Sequence, residues 1–387
     1  MKTKKIVTII GVLALTASSL LACGGQKASG DVIKIGVFEP VTGENGGGGY
    51  QEVLGARFAN SIYNKITIGG KEYTIELDEV DNKSDKTEAV TAAQKLVSDG
   101  VAVVLGSYGS GVSIAAGGTF KDAELPAIGC SCTNPQVTNG NDFYFRTCFL
   151  DPFQGTVMAN YAKKHGYTKV AIITQLGDDY SEGLGGFFDK ACKDMGIEVV
   201  ATEKFQTNAQ DFRAILANIK DKNPQFIFAP SSIATAPLLL QQARELGITC
   251  QLGGGDTWEN GTIIENAHGN AEGAVLTTFY DDQSEATEEG KIFVPGFKKY
   301  LVENNQPDVI PAVSALGYDA YLAAYKAIEK AQSVEGKAIR DALKDLSFVG
   351  VTGSISFDQN GDAKKNAAYI KEVENGKFVF KEITTID

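Results

Sequence analysis

Histidine and tryptophan are almost missing from this chain of 387 residues, which holds His165, His268 and Trp258 and no others of either kind. Neither histidine stands beside a nucleophile motif, and no Gly-x-Ser-x-Gly elbow occurs, so Ser-His or Cys-His catalysis has little material. The Gly46 to Gly49 run lacks the lysine that would complete a phosphate loop. Metal ligation is equally thin: Cys130-x-Cys132 offers two thiols at an unusual spacing, with no cluster to complete a four-ligand site. The chain is therefore expected to be no enzyme and to hold no cofactor and no metal. It also lacks a basic tract, and 36 basic against 48 acidic side chains give a net charge of −12. Such a surface repels nucleic acid and anionic membranes, so no nucleic-acid partner is expected.

Long apolar runs are absent except at the start. Met1-Lys2-Thr3-Lys4-Lys5 puts positive charge before an apolar stretch from Ile6 to Ala17. That stretch is short for a membrane span, which needs about 20 apolar residues, and reads as an export signal. It ends in Leu20-Leu21-Ala22-Cys23, which resembles a bacterial lipoprotein processing site. The resemblance implies a signal peptide over 1–22, lipidation of Cys23, a flexible tether over 23–30 and a location on the extracytoplasmic face of the cell membrane, held by lipid alone. Five further cysteines remain, Cys130, Cys132, Cys148, Cys192 and Cys250. A disulfide among the first three and a set of buried thiols are both open readings.

A chain of this length exceeds what one core organises, so two lobes are expected. Val32 to Phe38, Tyr73 to Val80, Val101 to Leu105 and Pro126 to Gly129 read as strands separated by helical patterns. The alternation begins again with helix Phe153 to His165 and strand Lys169 to Thr174, and runs on to strand Gly273 to Phe279. Strands separated by helices pair in parallel through right-handed crossovers. The fold class is α/β, with two doubly wound, Rossmann-like lobes. Helices Phe293 to Glu303, Ala312 to Ala331 and Gly336 to Leu346 lack intervening strands and are expected on the first lobe. Asp358 to Asp362 lacks the full spacing and terminal glutamate of a calcium loop and reads as a plain turn.

Several blocks in order resemble the type I periplasmic binding proteins, most of all the leucine/isoleucine/valine-binding branch. They include Pro40-Val41-Thr42-Gly43, Leu105-Gly106-Ser107, Thr133-Asn134-Pro135, Arg146-Thr147, Tyr180-Ser181-Glu182-Gly183 and Gln242 to Gly247. The resemblance implies a three-crossing hinge near Asp151, Tyr280 and Gly353. The N-terminal lobe would then be 31–150 plus 281–353, and the C-terminal lobe 151–280 plus 354–387. It further implies a monomer that holds a small amino acid, branched-chain or hydrophobic, in the interlobe cleft and delivers it to the permease and ATPase subunits of an ABC importer. An amide, urea or aromatic carboxylate, or a sensing role, is the alternative.

A zwitterion taken out of water needs its two charges met separately. Tyr108-Gly109-Ser110-Gly111 leads from a strand into a helix and offers free N–H groups to a carboxylate. In the family, the serine matching Ser110 and the threonine matching Thr133 bind that carboxylate, and Ser131 lies between them. Asp256, just past a strand, matches the acid that meets the ammonium, with the Ser131 carbonyl as a second acceptor. Tyr180 matches a tyrosine that closes over the ligand. Ser232 stands where the family has a tyrosine, and Ser84 and Gly109 stand where the branch has a disulfide. The Gly46 to Gly49 loop leaves room for a bulkier ligand or for Tyr50, Tyr108 and Trp258 to fold inward.

Overall fold

The computed structural model describes residues 31–284 and 286–385. The expected signal, the tether and Cys23 lie outside the described residues. Two sheets form the frame. The first has six strands in the order Lys65–Ile68, Lys71–Asp81, Val32–Glu39, Val103–Leu105, Ala127–Gly129 and Tyr144–Arg146. All its pairings are parallel except the hairpin made by its first two strands. The second has seven strands, with a parallel core of Glu198–Gln206, Lys169–Leu176, Phe226–Phe228, Gln251–Gly254 and Val275–Thr278. The antiparallel hairpin Ala367–Glu374 and Lys377–Thr385 extends its edge.

Local chemistry sets these elements. Val32–Glu39 is buried on nearly every residue because helices cover both of its faces. Asp85 caps helix Lys86–Asp99 by accepting from the N–H groups of Thr87 and Glu88 at 2.8 and 2.9 Å, and Gly100 closes it at φ 70°. Helix Ala312–Ala331 packs along helix Gly46–Ile62 on the first lobe. Gly55 and Gly317 allow this contact, since a methyl on either would strike the backbone carbonyl of Ser314 or Glu52. That close approach fixes the inward face of Gly46–Ile62, which carries Glu52.

The glycine run is not a loop. Gly46 to Gly49 form the first turn of the helix, because Gly48 lies against the Tyr108 ring and Gly49 against the Pro40 carbonyl, where no side chain fits. Strands Lys65–Ile68 and Tyr144–Arg146 escape the sequence pattern, being short and at sheet edges.

Asp362 lies beside Arg146 at the edge of the first sheet, and the chain next joins the second sheet through Ala367–Glu374. Arg146, fully buried at the end of the first sheet, donates from its Nε to Asp362 at 2.6 Å. Its other nitrogens donate to the Cys132 and Asn134 carbonyls and to Thr138. Asp362 is held on the first lobe by this ion pair, and Asp358 accepts from the N–H groups of Asn360 and Asp362 as an ordinary turn.

Replacing Arg146 by Ala strands the Asp362 carboxylate and two carbonyls in the interior. The expected loss is about 3–5 kcal/mol of folding stability, read as a lowered urea midpoint. An unchanged midpoint would show that the pair does not tie this segment down.

Candidate functional site

A cavity of about 250 Å³ lies between the lobes. On its first-lobe wall, Gly109 at φ 117° turns the chain from strand Val103–Leu105 into helix Ser110–Asp122. No side chain caps this helix, and Ser110, Gly111 and Val112 line the cavity, so the positive end of the helix faces the space. The Ser110 hydroxyl accepts from the Asn134 N–H at 3.1 Å and keeps its own hydrogen to donate. Thr133 is therefore next to Ser110, but it is fully buried behind the wall beside Asp151, and its hydroxyl has no geometric hydrogen-bond partner. Ser131 reaches the cavity, with its hydroxyl donating to Glu52.

On the second-lobe wall, strand Gln251–Gly254 ends and Asp256 opens a single 3₁₀ turn through Trp258. Asp256 lines the cavity and accepts from Gln154 Nε2 at 2.8 Å and the Tyr180 hydroxyl at 3.0 Å. Gly255 is required here, because a methyl on it would strike that hydroxyl. Both donors are neutral, and burial pushes the Asp256 carboxyl up to about 6 against their stabilisation.

Among the expected aromatics, Tyr108 and Tyr180 line the cavity, as does Ser232. Trp258 does not: its ring packs against Gly254 and its Nε1 donates to Ser231 at 3.2 Å, which holds it behind the wall. Tyr50 does not either, since it sits within the first helix and packs on the core. Among the described residues all five cysteines are free thiols, so the disulfide reading fails and the buried-thiol reading stands.

Behind the first wall lies a group that sequence reasoning missed. Glu39 and Glu52 are buried together, with the Tyr108 N–H donating to Glu39 at 2.6 Å. Burial raises Glu39 well above the usual carboxylate range and Glu52 to about 8. Burial favours the protonated form of both, and the nearness of Glu52 adds to the rise of Glu39. Their oxygens and the Cys130 sulfur lie within 4.8 Å of one another, but burial pushes that thiol up, so it is no thiolate ligand. Asp151, raised to about 8 by burial, is likewise neutral near pH 7. Asp256 is thus the acid in this interior that ionises at neutral pH with no cation beside it. Glu39 had a legible signal, a carboxylate directly after the apolar run Ile35 to Phe38; Gln154 had none.

A cleft between two doubly wound lobes, with a helix N-terminus on one wall and an ionised acid on the other, is the architecture of a solute-binding protein. Residues 32–377 match the family described as periplasmic binding protein, and the chain belongs to it. It is similar to the leucine-, isoleucine-, valine-, threonine- and alanine-binding protein of Pseudomonas aeruginosa, with 29% identity over 90% of this chain and 91% of that one. A leucine-binding protein from Thermotoga maritima superposes with a TM-score of 0.85 at 32% identity, covering 91% of this chain and 99% of the other. The branched-chain amino acid transporter substrate-binding protein of Streptococcus pneumoniae, solved with isoleucine, gives a TM-score of 0.82 at 29% identity, covering 92% and 99%. The family comprises solute-binding proteins rather than enzymes. No helix among the described residues is long and apolar enough to cross a membrane.

A proton on Asp256 competes with any cation bound there. Affinity for an ammonium ligand should fall about tenfold per pH unit below about 6 and level off above it. Calorimetric titrations between pH 4.5 and 7.5 check this, and a flat profile across that interval would remove Asp256 from the contact.

Proposed function

We propose that this protein captures an amino acid outside the cytoplasm and presents it to the permease and ATPase subunits of an ABC importer. The observation that carries this reading is the placement of Asp256, ionisable and without a cation, across one cavity from the uncapped N-terminus of helix Ser110–Asp122. The two charges of an α-amino acid fit those two walls. The carboxylate would take the N–H groups at Ser110 to Val112 and the Ser110 hydroxyl; the ammonium would take Asp256 and the Ser131 carbonyl. Tyr180 would close over the ligand from the second lobe. Thr133, behind the wall, would support Ser110 rather than touch the ligand. The names of the relatives, which bind leucine, isoleucine or valine, support the amino-acid class. A monomer held to the membrane by lipid on Cys23 fits this role.

An aromatic carboxylate is the weaker reading. A solute-binding protein of Rhodopseudomonas palustris in complex with benzoate shares the fold at a TM-score of 0.81 and 21% identity. Such a ligand has no ammonium and would leave Asp256 buried and unneutralised.

Calorimetry of the mature chain against the twenty amino acids is the test. At least one should bind with a micromolar dissociation constant, about −8 kcal/mol. Asp256→Ala should weaken that ligand by about 30-fold or more, since it removes a buried charge partner. Silence across the panel would overturn the reading.

A further inference from the structure

The end of the cavity away from Asp256 has an unusual chemistry for a leucine pocket. Val112 is the one aliphatic side chain that lines the cavity. Glu44, Gln175, Asp178 and Thr207 line it as well. Gln175 is buried, and its amide nitrogen is spent on Glu44 at 3.0 Å and Thr207 at 3.3 Å. Its carbonyl oxygen is left buried with no partner. Glu44, partly buried, has neutral donors only, in Gln175 and Ser232. The lone cation lining the cavity is Lys86, and it is already committed to Asp179 at 2.7 Å and the Gly177 carbonyl at 3.1 Å. Asp85 is occupied in capping its helix.

Acceptors without a cation partner, Glu44 and the Gln175 carbonyl, therefore line the part of the cavity left for the ligand's side chain. Four carboxylates, Glu44, Asp85, Asp178 and Asp256, line the space against one ammonium. A zwitterionic head neutralises Asp256 and brings its own carboxylate to the helix, so the excess negative charge is untouched. A branched aliphatic side chain there would strip water from Glu44 and leave Gln175 Oε1 without a donor, which disfavours it. A side chain ending in charged N–H groups meets both acceptors at once.

Resting on the amino-acid reading above, we propose that the ligand is a basic amino acid, its side-chain cation held by Glu44 and the Gln175 carbonyl. This departs from the branched-chain ligand that the resemblance implies. Specificity would then lie in Glu44 and Gln175, whereas Asp256 and Ser110 read the head that all amino acids share.

The test is calorimetric titration of the mature chain with L-lysine, L-arginine, L-glutamine and L-leucine, followed by the remaining amino acids. Lysine or arginine should bind at least about tenfold tighter than leucine and glutamine. Glu44→Gln, at a partly exposed position, should shrink that preference about tenfold or more, and Glu44→Asp should restore part of it. Leucine binding tighter than both basic amino acids would overturn the proposal while leaving amino-acid capture standing. So would glutamine matching them, or a preference that survives Glu44→Gln. Silence from all twenty would overturn both.

Discussion

Asp256 is an anion that the fold removes from water without supplying a cation, and much of the cleft is arranged around that cost. The amide of Gln154 and the hydroxyl of Tyr180 hold it in place, and Gly255 clears the room for the tyrosine. The neighbouring acids Glu39, Glu52 and Asp151 are pushed up by burial and stay protonated near neutral pH, so they do not compete for a positive ligand. On the proposed reading, a cation entering the cleft would replace the hydration that Asp256 has lost, and binding would rest on that replacement more than on apolar contact, because few apolar side chains line the space.

Closure follows from the same balance. Polar contacts join the lobes, among them Lys86 to Asp179 at 2.7 Å, Asn134 to the Asp179 carbonyl at 2.6 Å, Gln175 to Glu44 at 3.0 Å and the Ile233 N–H to Asn45 at 3.1 Å. Lys86 and Asp179 are both substantially exposed, and such a pair contributes about 0–1 kcal/mol. Contacts of this kind give way to water easily. A ligand bonded to the helix on one wall and to Asp256 on the other, as proposed, would add stronger links, each about 1.5–3 kcal/mol, that only a closed form could make. Arg146 pins Asp362 to the end of the first sheet, shortly before the chain joins the second.

The two-lobed α/β plan was legible because strands and helices alternate with strong periodicity, and helix Ala312–Ala331 has the bounds that its pattern predicts. The helix at the first wall and Asp256 were legible as well, since each follows directly from a strand at its carboxyl end. What escaped depends on contacts far apart in sequence. Arg146 holds Asp362 across more than two hundred residues, and no local pattern reports it. The Gly46 to Gly49 run looks like a loop by composition, yet it is helical because Tyr108 and Pro40 press against it. Trp258 and Tyr50 looked free to turn inward until packing on Gly254 and on the core fixed them elsewhere.

The ionisation of Asp256 itself is the most direct probe of the account. Carbon NMR titration of its side-chain carboxyl, in the free protein and saturated with the amino acid that binds, should give a value of about 6 in the free form. A drop of about one unit or more on saturation is the expected result, as an ammonium at the carboxylate favours its charged form. A carboxyl that titrates at the same pH with and without ligand would contradict the claim that Asp256 holds the ligand's positive charge.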